Sequence, residues 1–118
     1  MMNDPDTPAV QAWTALAAAY RQALGRIEGA LKSAGFPPLA WYDALLEIER
    51  SGNAGIRPFQ LRERLLLPQY GTSRLLDRMV QDGLIERSSA PEDGRGQVLR
   101  ATSRGRTIRQ EMWPVYRR

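Results

Sequence analysis

The stretch Pro68-Gln69-Tyr70-Gly71-Thr72-Ser73-Arg74-Leu75-Leu76-Asp77-Arg78-Met79-Val80-Gln81-Asp82-Gly83-Leu84-Ile85-Glu86-Arg87-Ser88 changes its periodicity at Gly83. Before that glycine, Leu75, Leu76, Met79 and Val80 recur at helical spacing. They predict a helix from Pro68 to about Asp82 with those four side chains facing inward. Pro68 suits a first helical turn, and Gly83 suits the position just past a helix end. After it, Leu84-Ile85-Glu86-Arg87-Ser88 reads as a strand, and Gln97-Val98-Leu99-Arg100-Ala101 as a second. Between them lies Ser89-Ala90-Pro91-Glu92-Asp93-Gly94-Arg95-Gly96, rich in turn formers and charge. Upstream, Leu61 and Leu65 lie four apart in a short helix from about Pro58 to Leu65, joined to the next by a tight Leu66-Leu67 turn. Helix, tight turn, helix, hairpin is the order of a winged helix-turn-helix: mainly α, with a small β wing.

Outward from this centre the chain stays helical. Val10, Trp13, Ala17, Tyr20, Leu24, Ile27, Leu31 and Ala34 alternate at spacings of three and four, which predicts a long amphipathic helix from about Thr7 to Ala34. Such a seam packs either on its own domain's core or on another helix, and its narrowness and length favour a dimer contact. Gly35-Phe36-Pro37-Pro38 ends it, and a second helix with Trp41, Leu45 and Ile48 on one stripe runs from about Leu39 to Arg50. Ser51-Gly52-Asn53-Ala54-Gly55 is a loop, after which Ile56-Arg57 suits a short extended piece before Pro58. Thr102 or Ser103 caps a last helix bearing Ile108, Met112, Val115 and Tyr116 on one face, with a kink expected at Pro114. No repeat or low-complexity tract interrupts the chain, so residues 1–118 are expected to form one domain. Segments 7–34 and 102–118 would dimerise, and 39–101 would bind DNA.

Composition narrows the chemistry. There is no cysteine and no histidine, which removes thiol chemistry, disulfides, most nucleophilic triads and most transition-metal sites. The single Lys32 lies on the first helix, with no partner in sequence for Ser-Lys chemistry. Neither a nucleophile–base pair nor a Gly-rich phosphate loop can be named, so neither enzyme activity nor a cofactor or metal is expected. No stretch has the length of a membrane span, and the acidic start Met1-Met2-Asn3-Asp4-Pro5-Asp6 has the wrong sign for a signal peptide, which predicts a cytoplasmic protein. Residues 1–50 carry four basic and six acidic side chains, whereas residues 51–118 carry thirteen and seven. A polyanion would therefore meet the C-terminal half.

The outward face of the Pro68–Asp82 helix offers Gln69, Tyr70, Thr72, Ser73, Arg74 and Arg78, with Asp77 the one acid in its first three turns. Glutamine and arginine make paired hydrogen bonds to adenine and guanine edges, while serine, threonine and tyrosine reach bases or phosphates. In the hairpin loop Arg95 stands between Gly94 and Gly96, free to extend into a narrow minor groove. Asp93 is placed to orient it, and Arg87 and Arg100 lie on the strands beneath, within reach of backbone phosphates. Double-stranded DNA is the expected partner. The first and last helices supply the expected dimer contacts, through Val10, Trp13, Tyr20, Leu24, Ile108, Met112, Trp113 and Tyr116.

Three pieces in order resemble the bacterial multiple-antibiotic-resistance-type (MarR) winged-helix regulators. They are Ser73-Arg74-Leu75-Leu76-Asp77-Arg78-Met79 with Asp82-Gly83-Leu84-Ile85-Glu86-Arg87, then Asp93-Gly94-Arg95, then Ala101-Thr102-Ser103-Arg104-Gly105. The resemblance implies a homodimer on a pseudo-palindromic operator, usually as a repressor, with each recognition helix in a major groove and each wing in the flanking minor groove. It also implies release by a small aromatic or lipophilic effector held between the DNA-binding and dimerising parts. Relatives usually continue past the position of Arg118, so the resemblance implies a shortened dimer interface and a ligand pocket missing one wall. The competing expectation is a truncated interaction module that forms mixed dimers with a full-length regulator or antagonises it.

Overall fold

A computed structural model describes residues 5–66, 71–89 and 96–118. Among these described residues, five α-helices and one antiparallel pair of strands follow the expected order. Helix α1 spans Pro8–Ser33; Thr7 caps it by accepting from the Val10 N–H at 3.3 Å, and Pro8 opens its first turn. Its end closes where the Phe36 N–H donates to the Leu31 carbonyl at 2.9 Å. Helix α2 spans Leu39–Arg50, with the Leu39 N–H donating to Glu28 of α1 at 2.7 Å. A single 3-10 turn, Gly52–Ala54, leads to α3, Pro58–Arg64, where the Gln60 side chain accepts from the Arg57 N–H at 3.1 Å.

Helix α4 spans Thr72–Gln81, four residues shorter at its start than the sequence predicts. Gly71 sits at its N-cap with φ +73°, a left-handed backbone that a continuing right-handed helix cannot contain. Gly71 is thus the cap, and Leu67, Pro68, Gln69 and Tyr70 lie outside the described residues. At the other end Leu84 N–H donates to Met79 O and Gly83 N–H to Val80 O, both at 3.0 Å, the closure expected of a glycine just past a helix.

Strands β1, Ile85–Ser89, and β2, Gln97–Ala101, pair antiparallel with Ile85 opposite Ala101 and Arg87 opposite Leu99. Ile56 adds one rung on the far side of β2, exchanging two backbone hydrogen bonds with Leu99 at 2.8 and 3.0 Å. Helix α5 spans Ser103–Tyr116 and is capped by Thr102, whose hydroxyl accepts from the Gly105 N–H at 3.0 Å. It continues through Pro114 as one element.

Two apolar clusters share α2. One joins Leu45 and Ile48 to Leu61 of α3, Leu76 and Met79 of α4, and Leu84, Ile85 and Leu99 of the hairpin. The other joins Leu39 and Tyr42 to Leu31 of α1 and to Met112 and Val115 of α5. Met112 is fully buried there, so its expected place at a dimer surface is corrected: it packs inside its own chain. Ile108 is half-buried between the two clusters. Only the C-terminal half of α1 joins this core, through Leu24, Ile27, Ala30 and Leu31. The radius of gyration, 17.7 Å, exceeds the roughly 13.5 Å of a compact chain this long, as expected when half of a 26-residue helix stands clear.

Candidate nucleic-acid interface

The burial of α4 divides its side chains between two faces. Thr72, Leu76 and Met79 are buried, and Leu75 and Val80 are half-buried against the first cluster. Ser73, Arg74, Asp77, Arg78 and Gln81 are exposed. Thr72 was expected outside and lies inside, one turn before Leu76 on the inward stripe, with 7% of its surface accessible. A side chain so placed cannot reach a base edge without leaving the core. Ser73, Arg74 and Arg78 remain together on the exposed face. Gly71, Arg74, Leu75 and Arg78 also border a shallow concavity against Trp41 of α2.

The hairpin arginines are engaged. Arg87 on β1 puts Nη2 2.6 Å from Oδ1 of Asp77 on α4. Arg100 on β2 donates from Nε to the Asn53 carbonyl at 2.7 Å and from Nη1 to the Ser88 hydroxyl. The strands thus carry arginines braced against α4 and against the 3-10 turn. The Arg57 guanidinium lies beside Gly96 at the loop end of the hairpin, 3.0 Å from where a Cβ would stand. Gln69, Tyr70, Asp93 and Arg95, the other expected DNA contacts, lie outside the described residues.

Two polar links join the α3–α4 region and α5 to α2, and neither has a local sequence signal. Asp43 on α2 accepts from the Leu66 N–H just after α3, at 2.8 Å. Glu49 on α2 makes a two-pronged ion pair with Arg109 on α5, one prong at 3.2 Å and the Nε prong shorter. Both side chains are largely buried, and the carboxylate, with Tyr42, holds the Arg109 pKa above its ordinary value against the opposing effect of burial.

Beside the Asp43–Leu66 link lies a cavity of about 300 Å³, lined by Tyr42, Asp43, Leu46, Arg64, Leu66 and Trp113 among others. Its aromatic wall is ordered: the Tyr42 and Tyr116 rings meet edge to face at 5.0 Å, as do Trp113 and Tyr116 at 5.7 Å. Of the side chains expected at a dimer contact, Val10, Trp13, Tyr20 and Trp113 are exposed, and Leu24, Ile108 and Tyr116 are half-buried. Leu16, which the seam did not include, is as exposed as Trp13, each at 65%. Among the described residues no helix is long and apolar enough to cross a membrane.

Comparison with known proteins gives the same architecture. A sequence profile described as MarR family matches residues 34–96, more than half of the chain. The apo form of the MarR protein of E. coli superposes with a TM-score of 0.74 at 25% identity, covering 87% of this chain and 74% of that one. A mutant of that protein, solved in complex with operator DNA, gives 0.78 at 24% identity, over 96% and 79% of the two chains. A MarR-like transcription regulator from Bacillus cereus gives 0.81 at 15% identity, over 91% and 75%. Among curated proteins no significant match was found.

Proposed function

Because the chain belongs to the MarR family, whose proteins are transcription regulators and not enzymes, we propose that it binds a specific double-stranded DNA operator as a homodimer and represses transcription. The observation that carries the reading is the exposed polar face of α4, where Ser73, Arg74 and Arg78 stand clear of the core. Side chains of these types, on a helix that a helix-turn-helix presents outward, match the hydrogen-bonding edges of a major groove. A structural relative is known bound to operator DNA, in line with this use of the fold.

The dimer reading is supported by Val10, Trp13, Leu16 and Tyr20, large apolar groups left exposed on the projecting half of α1. A second copy of the chain would remove them from water. Response to a small aromatic or lipophilic effector is supported by the cavity beside Tyr42, Leu46 and Trp113, which lies between α2, the end of α3 and α5. A gel shift with the DNA upstream of the chain's own gene, run beside a solution mass measurement, tests the whole reading. A retarded dimeric species whose affinity falls steeply with salt is expected. A folded protein with no affinity for that DNA, or for any duplex selected from a random pool, would refute it.

A further inference from the structure

The exposed face of α4 that carries Ser73, Arg74 and Arg78 also carries a carboxylate. Asp77 follows Ser73 by four residues and adjoins Arg78, and 60% of its side chain is accessible. A bare negative charge there would repel a phosphate backbone. It is not bare: Arg87 reaches from β1 and places Nη2 2.6 Å from its Oδ1. A guanidinium has five N–H donors in a fixed fork, and this ion pair engages one of its three nitrogens. With 29% of its side chain accessible, Arg87 keeps donors at the seam between α4 and the hairpin.

We propose that Asp77 is a positioning residue for DNA binding: it holds the Arg87 guanidinium at the edge of α4, where the unused donors meet a backbone phosphate. An arginine free to rotate loses that freedom when it binds, and this loss subtracts from affinity. Asp77 imposes the ordering before DNA arrives, while Arg87 cancels the charge that would make Asp77 repulsive. The two side chains are useful only together. The inference rests on the DNA-binding reading above.

This dependence predicts a reversal of sign. With Arg87 present, Asp77→Ala should weaken binding by about two- to tenfold, the cost of ordering one long side chain, although it removes a negative charge from a surface facing a polyanion. Arg87→Ala should weaken binding and lower the salt slope by about one. In the Arg87→Ala background, Asp77→Ala should instead strengthen binding, because the carboxylate left behind is then unpaired. Asp77→Glu, which keeps the charge, should recover part of the loss.

The probe is a duplex selected by the wild-type chain from a randomised library, with dissociation constants read by fluorescence anisotropy across a salt series. Thermal melting of each variant accompanies them, since an exposed pair contributes little to folding and the midpoints should stay close. Tighter binding by Asp77→Ala alone would overturn the proposal, showing a merely repulsive charge. Equal weakening in both backgrounds would also overturn it, showing that Asp77 acts without Arg87. If the wild-type chain selects no duplex, the DNA-binding reading falls and takes this inference with it.

Discussion

A Cβ atom placed on Gly105 would lie 2.1 Å from the carbonyl oxygen of Leu84 and 3.2 Å from Leu45 Cδ2. Helix α5 therefore approaches the backbone after α4 more closely than any side-chain-bearing residue permits. Thr102 closes the same joint, donating its hydroxyl to the Gly83 carbonyl at 2.6 Å and its N–H to the Leu84 carbonyl at 3.1 Å. Two of the motifs that carried the family resemblance, Gly83-Leu84 and Thr102-Ser103-Arg104-Gly105, are thus the two halves of one joint between the end of α4 and the start of α5.

Gly105→Ala should accordingly destabilise the fold by about 2–3 kcal/mol, since the clash is with backbone and the helix must shift to relieve it. The chemical denaturation midpoint checks this. Alanine is the better helix former by up to about 1 kcal/mol, so propensity alone predicts a small rise. An unchanged or raised midpoint would mean that the close approach does not exist in solution.

The joint between α2 and α5 responds differently. Glu49 and Arg109 are each less than one-fifth exposed, and removing one leaves the other poorly hydrated. Glu49→Gln should cost about 1–3 kcal/mol, toward the lower end of what breaking a buried pair costs because both groups keep some contact with water. Glu49→Gln paired with Arg109→Met should recover part of that loss. Thermal melting of the two variants decides it, and equal midpoints for wild type and Glu49→Gln would rule the brace out.

How much of this was legible in sequence depends on the range of each interaction. The limits of α1 and α2 were readable because Thr7-Pro8 and Gly35-Phe36-Pro37-Pro38 are local signals of starting and stopping. Both strands were readable between their turn formers, but β1 runs Ile85–Ser89, one residue later than the expected Leu84–Ser88, because Leu84 is used to close α4. The start of α4 misled because Gly71 can sit inside a helix at modest cost, and only its φ shows that it does not. Thr72 misled through its hydroxyl: its position four before Leu76 and seven before Met79 already put it on the inward stripe. Met112 carried the same lesson, four residues after Ile108 and three before Val115 on α5. The Asp43–Leu66, Glu49–Arg109 and Asp77–Arg87 contacts connect separate elements, which periodicity within one element cannot reveal.

The projecting half of α1 should govern assembly and leave the fold alone. Trp13 is 65% exposed and belongs to neither apolar cluster, so Trp13→Glu removes nothing from the core. Sedimentation or light scattering at micromolar concentration should show a dimer for wild type and a shift to monomer for the variant. Circular dichroism should show little change in helix content. A wild-type monomer at that concentration would remove the argument that a second copy covers this face.

Arg74 and Arg78 should contribute to DNA binding in separable ways. They stand one turn apart on the exposed face of α4, Arg74 in the first turn and Arg78 in the last. In helix-turn-helix complexes the N-terminal residues of the recognition helix meet base edges, which assigns base reading to Arg74 and backbone contact to Arg78. Arg74→Ala should therefore cost about 1–3 kcal/mol on the preferred duplex and relax preference at one base pair, with the steepness of the salt dependence largely kept. Arg78→Ala should weaken preferred and random duplexes alike and reduce the salt slope by about one. Binding of each variant to a selected duplex and to its single-base variants, across a salt series, separates the two patterns. Loss of sequence preference in Arg78→Ala with none in Arg74→Ala would reverse the assignment, and unchanged affinity in both would remove α4 from the interface.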